Sequence, residues 1–251
     1  MSPTPKGSRV AFFGGSFDPP HLGHLAVARA ARVALGLDTV LFAPVGAQPL
    51  KPVGSTAGFD DRVAMTRLAI TGEAGFRISL ADAPKPSGIP NYTLETLQNL
   101  RKELAPGCAL YCLMGADSFV GLRRWYRAAE IPFVAPLIVA SRPGQPLEDL
   151  KALLPPGLTM EPATAAEMAE VSVDRSDVEV RSYSLLSNTG NWAGQRTPFY
   201  LLPGLDVEIS ASRIREQARA QAQDARESYL VGHELVPDAV SDYIQLRGLY
   251  R

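Results

Sequence analysis

The stretch that most constrains this chain is Val10-Ala11-Phe12-Phe13 running into Gly14-Gly15 and then, through Ser16-Phe17-Asp18-Pro19-Pro20, into His21-Leu22-Gly23-His24. A short, continuous apolar run that stops at two glycines has the pattern of a buried parallel strand feeding a tight turn, and the residues after His21 open a helix. Glycines let the backbone come close to a ligand, the unpaired N–H groups at a helix start favour anions, and imidazoles add donors aimed at the same place. Two of the three histidines of the chain fall within this stretch. It reads as a phosphate cradle for a nucleotide.

The rest of the chain alternates strand and helix. Leu25, Ala28, Ala31, Val33 and Leu35 have helical spacing and end at Gly36, and Thr39 to Ala43 is a second buried strand. A proline-rich loop follows, Pro44 to Pro52, and carries Lys51. Lys51 either faces the cradle or is a solvated surface lysine, and composition alone favours the second. Asp60 to Ile70 is a helix with Met65 in its core stripe, and Phe76 to Leu80 alternates like a strand. Ala83 to Asn91, with three prolines and a glycine, is a loop. Thr93 is expected to cap the next helix, placing Tyr92 and Thr93 at its entrance. Ala109 to Met114 is a central strand ending at Gly115-Ala116-Asp117-Ser118. Ligands of open parallel sheets collect beyond the carboxyl ends of the strands, so Asp117 falls on the rim of the first motif, with helix capping as its equal alternative. Trp125-Tyr126 belongs to the following helix, where core packing is the default for aromatic residues. Pro136 to Ala140 is another strand, with Arg142 at its exit.

Residues 163–196 carry no element signal; the segment reads as an insertion, with a lid and a subunit contact in a homo-oligomer as equal roles. Structure resumes at Phe199 to Leu202 and at Val207-Glu208-Ile209, and Ser210 to Glu216 reads as a capped helix start, with Glu216 in the first turns and Arg213 and Arg215 near its opening. A terminal helix runs over Val236 to Ile244 with Pro237 near its first turn. The pattern predicts an α/β fold: a Rossmann-like, doubly wound parallel sheet with helices on both faces and a small C-terminal helical part over 210–251, within one domain spanning 1–251.

Charge narrows the function classes. Lys plus Arg (25) nearly balance Asp plus Glu (26), so neither a nucleic acid nor a membrane surface is the expected partner. Cys108 and Cys112 are spaced for neither zinc nor a disulfide framework and read as small buried hydrophobes. The polar N-terminus and the lack of any long apolar run predict a cytoplasmic chain.

The glycine-histidine stretch from Gly14 to His24, together with Ile209-Ser210-Ala211-Ser212-Arg213-Ile214-Arg215, resembles the paired signature of the Rossmann-like nucleotidyltransferase superfamily. Within it the chain is similar to bacterial nicotinate-mononucleotide adenylyltransferases through Pro44 to Lys51, Tyr92 to Leu97, Gly115 to Ser118, Trp125 and Arg142-Pro143-Gly144. The likeness spans nearly the whole chain outside 163–196. It implies that ATP and nicotinate mononucleotide give nicotinate adenine dinucleotide and pyrophosphate, by direct attack of the 5'-phosphate on the α-phosphorus, with no covalent enzyme intermediate. By this resemblance His21, His24, Lys51 and Arg215 are catalytic, neutralising charge that moves onto the leaving pyrophosphate. Gly14, Gly15, Ser16, Phe17, Gly115, Asp117, Ile209 and Ser212 join the histidines and Arg215 around ATP, with Asp117 on the ribose. Ser16, Lys51, Tyr92, Thr93, Trp125 and Arg142 hold the mononucleotide, Trp125 stacking on its pyridine ring. Mg2+ is expected as cofactor, bound through the phosphates and not by protein side chains. Nicotinamide mononucleotide or another phosphate acceptor, or a regulatory module that binds nucleotide without chemistry, are the competing readings. Two residues depart from the family pattern: Asn91 stands where serine or glycine is expected, and Ala211 where serine is expected.

Overall fold

The computed structural model describes residues 7–51, 53–86, 88–141, 150–165, 178–205, 209–223 and 235–251. Eight strands form one sheet: β1 (Arg9–Gly15), β2 (Thr39–Pro44), β3 (Phe76–Ile78), β4 (Ala109–Gly115), β5 (Leu137–Ala140), β6 (Leu158–Pro162), β7 (Arg181–Ser187) and β8 (Arg196–Leu202). Their order is β3-β2-β1-β4-β5-β8-β7-β6. From β3 to β8 neighbouring strands are parallel, with Phe12 of β1 opposite Leu41 of β2 and Cys112 of β4. Strand order reverses direction at β1, since β2 and β3 lie to one side and β4 and β5 to the other. That reversal opens a crevice beyond the carboxyl ends of β1 and β4, where ligands of such sheets bind.

The parallel strands are apolar on both faces because helices cover both. Val10, Phe12, Leu110, Cys112, Leu137 and Val139 point to one face and pack on α3 (Thr93–Glu103) through Leu94, Leu97 and Leu100. Ala11, Phe13, Tyr111, Leu113 and Ile138 point to the other and meet α1 (Leu22–Ala34) through Leu25, Ala28 and Ala31. Cys108 and Cys112 are both buried, as the reading of small hydrophobes expects. A third apolar cluster lies beside the sheet, where Met65 and Ala69 of α2 (Phe59–Ala69) pack on the C-terminal helices. Three short helices, α4 (Ala116–Gly121), α5 (Ile131–Val134) and α6 (Leu150–Leu153), precede those two, α7 (Ala211–Gln223) and α8 (Asp238–Arg247).

The sheet departs from an all-parallel one at one edge, where β7 runs antiparallel to both β8 and β6. β7 lies inside 163–196, the segment without an element signal. Of its residues Ser184, Leu185 and Ser187 are buried and Arg181 is exposed, so burial does not follow an alternation of apolar and polar residues and periodicity gives little to read. Three further expectations shift. Trp125 and Tyr126 do not ride on a helix; they follow a single 3-10 turn, Leu122–Arg124. Tyr92, and not Thr93, holds the N-cap position of α3. Pro237 sits at the N-cap of α8 rather than inside it, where its fixed φ suits the entry. Arg142 to Gly144, Val207 and Glu208 lie outside the described residues. Among the described residues no helix is long and apolar enough to cross a membrane.

Candidate active site

Beyond the carboxyl ends of β1 and β4 lies a cavity of about 840 Å3. Every site residue expected from the sequence borders it, apart from Arg142, which is outside the described residues. The reason is topological: β1 delivers Gly14 to Ser16, the start of α1 delivers His21 and His24, β4 delivers Gly115 and Asp117, and α7 arrives with Ser212 and Arg215.

The floor is backbone. A Cβ at Gly14 would stand 2.8 Å from the buried Phe12 ring, which would have to shift to admit it, and in the loop that follows β2 one at Gly46 would stand 2.4 Å from the Pro84 main-chain nitrogen, so that position requires glycine. At Gly115 the space is open, which leaves that stretch of main chain accessible from the cavity. Phe17 has φ of 46°, a left-handed conformation that costs an ordinary side chain about 1–3 kcal/mol. Its ring is buried, 5.6 Å from Phe13 and 4.9 Å from the His24 ring, and that packing together with the bonds below holds the turn.

The two histidines stack, ring centroids 3.7 Å apart. His24 Nδ1 accepts the main-chain N–H of His21 at 3.2 Å, so the neutral His24 ring carries its hydrogen on Nε2 as a donor. Opposite them, Lys51 Nζ donates to Ser16 Oγ at 3.0 Å, and Gln48 Nε2 donates to the same oxygen at 3.0 Å. Both lone pairs of that hydroxyl are thereby used, which turns its own hydrogen away from the loop. Loss of solvation, then the nearby Arg215 charge, push the Lys51 ammonium below the ordinary lysine value, with Asp18 opposing. Arg215 Nη1 donates to the Asp18 carbonyl at 2.6 Å and Nη2 to Ser212 Oγ at 3.1 Å. Ser210 caps α7, its Oγ accepting the N–H of Arg213 at 3.3 Å.

Tyr92, Thr93 and Trp125 also border the cavity, with the Tyr92 and Tyr126 rings 4.7 Å apart. Asn91, which departs from the family pattern, is a buried clasp: its Oδ1 accepts the N–H of Ala47 at 3.0 Å and its Nδ2 donates to the Ala83 carbonyl at 2.9 Å. It thus ties the Lys51 loop to the entrance of α3. The other departure, Ala211, also borders the cavity, where it brings no hydroxyl.

Three groups that carry the geometry escape a reading by motif. Asp18, though inside the first signature, is a structural anchor: its Oδ2 accepts Thr56 N–H at 2.6 Å and its Oδ1 accepts Ala57 N–H at 3.0 Å and the Tyr250 hydroxyl at 2.8 Å. Arg62, 2% exposed, donates to the carbonyls of Ser16, Val45 and Ala57 at 2.7, 2.8 and 3.2 Å. Its signal was present in the sequence, since Arg62 lies in the buried stripe Arg62, Met65, Thr66, Ala69 of α2. Asp82, buried and holding the Thr96 hydroxyl at 2.6 Å, has its carboxyl pushed up by loss of solvation, with Thr96 and Lys85 opposing. Nothing local in the sequence announces Tyr250 or Asp82.

A glycine turn, a helix start with histidines and a distant arginine, gathered at the switch point of a parallel sheet, define a nucleotide-binding site of the nucleotidyltransferase type. The cytidylyltransferase-like family model matches residues 12–217. Proteins of Gloeobacter violaceus and Dechloromonas aromatica, each named "Probable nicotinate-nucleotide adenylyltransferase", are 36% and 35% identical to this chain, covering 97% and 96% of it and 97% of each relative. The chain belongs to the nicotinate-nucleotide adenylyltransferase family, and it is a nucleotidyltransferase. Among solved structures, Plasmodium falciparum nicotinic acid mononucleotide adenylyltransferase complexed with NaAD covers 97% of each chain at TM-score 0.59 and 15% identity, a likeness of fold.

Proposed function

We propose that this chain joins the AMP part of ATP to nicotinate mononucleotide, releasing pyrophosphate. The observation that carries the reading is one cavity bordered both by donors and cations, His21, His24, Lys51 and Arg215, and by the aromatic residues Tyr92 and Trp125. Its volume of about 840 Å3 is near the top of the range for small-molecule sites, as two nucleotides bound together require. A phosphate oxygen of the mononucleotide forms a bond to the α-phosphorus, while the bond from that phosphorus to the bridging oxygen breaks and the electron pair leaves with pyrophosphate. The protein positions both reactants in line and neutralises the leaving group. Gly14 and Gly15 let main chain approach the phosphates, and the start of α1 offers N–H groups to them. His24 donates through Nε2, Ser16 donates the hydrogen that Gln48 and Lys51 leave free, and Arg215 grips the departing phosphates from α7. Asp117, in the first turn of α4 on the same rim, takes the ATP ribose.

Trp125 offers its face to the pyridine ring, and N–H groups at the start of α3, beside Thr93, prefer a carboxylate to an uncharged amide. That preference favours nicotinate over nicotinamide mononucleotide. Mg2+ is assigned to the nucleotide phosphates. The Asp18 carboxylate already accepts three hydrogen bonds, and among the described residues no three His, Cys, Asp or Glu side chains cluster to hold a metal. Bound there, the ion would offset the negative charge of the phosphates.

The test is pyrophosphate release from ATP with nicotinate mononucleotide, nicotinamide mononucleotide or no acceptor present. Release is expected to depend on an acceptor and to be faster with nicotinate mononucleotide. His24→Ala is expected to lower turnover by about 100-fold or more in a folded protein. Acceptor-independent release, or near-normal turnover of the variant, contradicts the assignment.

A further inference from the structure

Tyr250 is bolted to the first signature. It is 5% exposed. Gly248 and Tyr250 both adopt left-handed conformations, φ of 60° and 66°, which turn the chain back from the end of α8 toward α2. The Tyr250 ring enters the apolar cluster that also contains Ile214 and Ala218 of α7, the helix that carries Arg215. Its hydroxyl donates to Asp18 Oδ1 at 2.8 Å across 232 residues of sequence. The Asp18 main-chain carbonyl in turn accepts Arg215 Nη1 at 2.6 Å.

Arg215 is therefore aimed by two ends of one residue. The carboxylate of Asp18 is fixed by Thr56, Ala57 and Tyr250, and its carbonyl fixes the guanidinium. Nη2 is held as well, by Ser212 Oγ. Each of these guanidinium nitrogens carries a second hydrogen, which the anchoring leaves for phosphate oxygens in the cavity that Arg215 borders. A charged fork serves a leaving group only where it is held before the reaction begins, since reorganising it during the step raises the barrier.

We propose that Tyr250 is a positioning residue for Arg215: its hydroxyl sets the Asp18 turn, and the Asp18 carbonyl sets where Arg215 presents its guanidinium to the triphosphate. The proposal rests on the assignment of Arg215 to the leaving phosphates. It places the dependence on the ATP side of the reaction, because Tyr92, Thr93 and Trp125 have no part in this network.

Tyr243 supplies the control. Its hydroxyl donates to Asp61 Oδ1 at 2.8 Å, so Tyr243→Phe removes a similar bond between α8 and α2 that does not lead to Asp18. The experiment is a double-mutant cycle in the full chain with Tyr250→Phe, Arg215→Ala, the double variant and Tyr243→Phe. For each, kcat, both KM values, ATP affinity by calorimetry and the folded fraction are measured on the same samples. Tyr250→Phe is expected to lower kcat about tenfold with KM for the mononucleotide within about twofold, and to cost less than about twofold in the Arg215→Ala background. Tyr243→Phe is expected to leave kcat within about twofold. Equal losses in both backgrounds, no loss at all, or a loss that only tracks the folded fraction overturns the proposal. If the wild-type chain releases no pyrophosphate with any acceptor, the functional reading fails by itself, and the same cycle read on ATP affinity still decides whether Tyr250 acts through Arg215.

Discussion

At the scale of single residues, the site is a set of donors whose directions are fixed before a ligand arrives. Ser16 illustrates this, because Gln48 and Lys51 saturate its oxygen and leave its hydrogen to point elsewhere. Lys51 carries a testable consequence. Its charged form is disfavoured by loss of solvation and by Arg215, so the free protein gives up that proton at a pH below the ordinary lysine value of 10.5. The charge is present on the acid side and lost as pH rises, so kcat/KM for ATP is expected to fall on an alkaline limb that begins below that value. Lys51→Arg keeps the charge at every accessible pH and is expected to move the limb upward. A pH profile of kcat/KM for both proteins checks this; superimposable alkaline limbs would rule the role out. Lys51 also shows how far a single residue can be read. It is exposed, as composition favours for a lysine, and the folded loop also brings its ammonium to Ser16, whose position is 35 residues earlier.

Among elements, α2 acts as the clamp of the site. Arg62 reaches from its buried face to carbonyls that follow β1, that follow β2, and that precede α2 itself. Burial lowers its affinity for the proton somewhat, with Asp18 opposing, yet a guanidinium keeps its charge in proteins. Arg62→Ala would leave three carbonyl groups without this donor, two of the bonds being wholly buried. A loss of about 3 kcal/mol in urea unfolding is expected, against less than about 1 kcal/mol for a surface arginine such as Arg67 on the same helix. Equal losses for the two variants would show that Arg62 is not a clamp. Most elements were legible because the parallel strands are continuous apolar runs and their helices repeat at helical spacing. β7 was not, since a strand between β8 and β6 that buries two serines beside Leu185 and exposes an arginine has neither pattern.

For the molecule as a whole, the cavity is closed by parts of the chain that are far apart in sequence, and the ligand is expected to join them. ATP that binds the folded chain alone raises its stability by about 2.7 kcal/mol at a hundred times its dissociation constant. For a protein of this size that amounts to a rise of about 5–11 °C in the unfolding midpoint. Arg215→Ala is expected to lose most of that rise at the same ATP concentration, because the link between the first signature and α7 is gone. Thermal scans with and without ATP decide it, and an undiminished rise in the variant would place ATP away from α7.

The sequence by itself determined the strand-glycine-helix turn, the alternation that makes a doubly wound sheet, and the family. Each depends on local periodicity, turn chemistry or a motif of contiguous residues, which a linear reading preserves. Only the tertiary structure decided which charges meet. The grip of Arg62 on three carbonyls, the clasp of Asn91 across two loops and the bond from Tyr250 to Asp18 join residues 5 to 232 positions apart. A hydrogen bond depends on distance and direction in space, and those are set by how strands and helices pack, which no local pattern encodes.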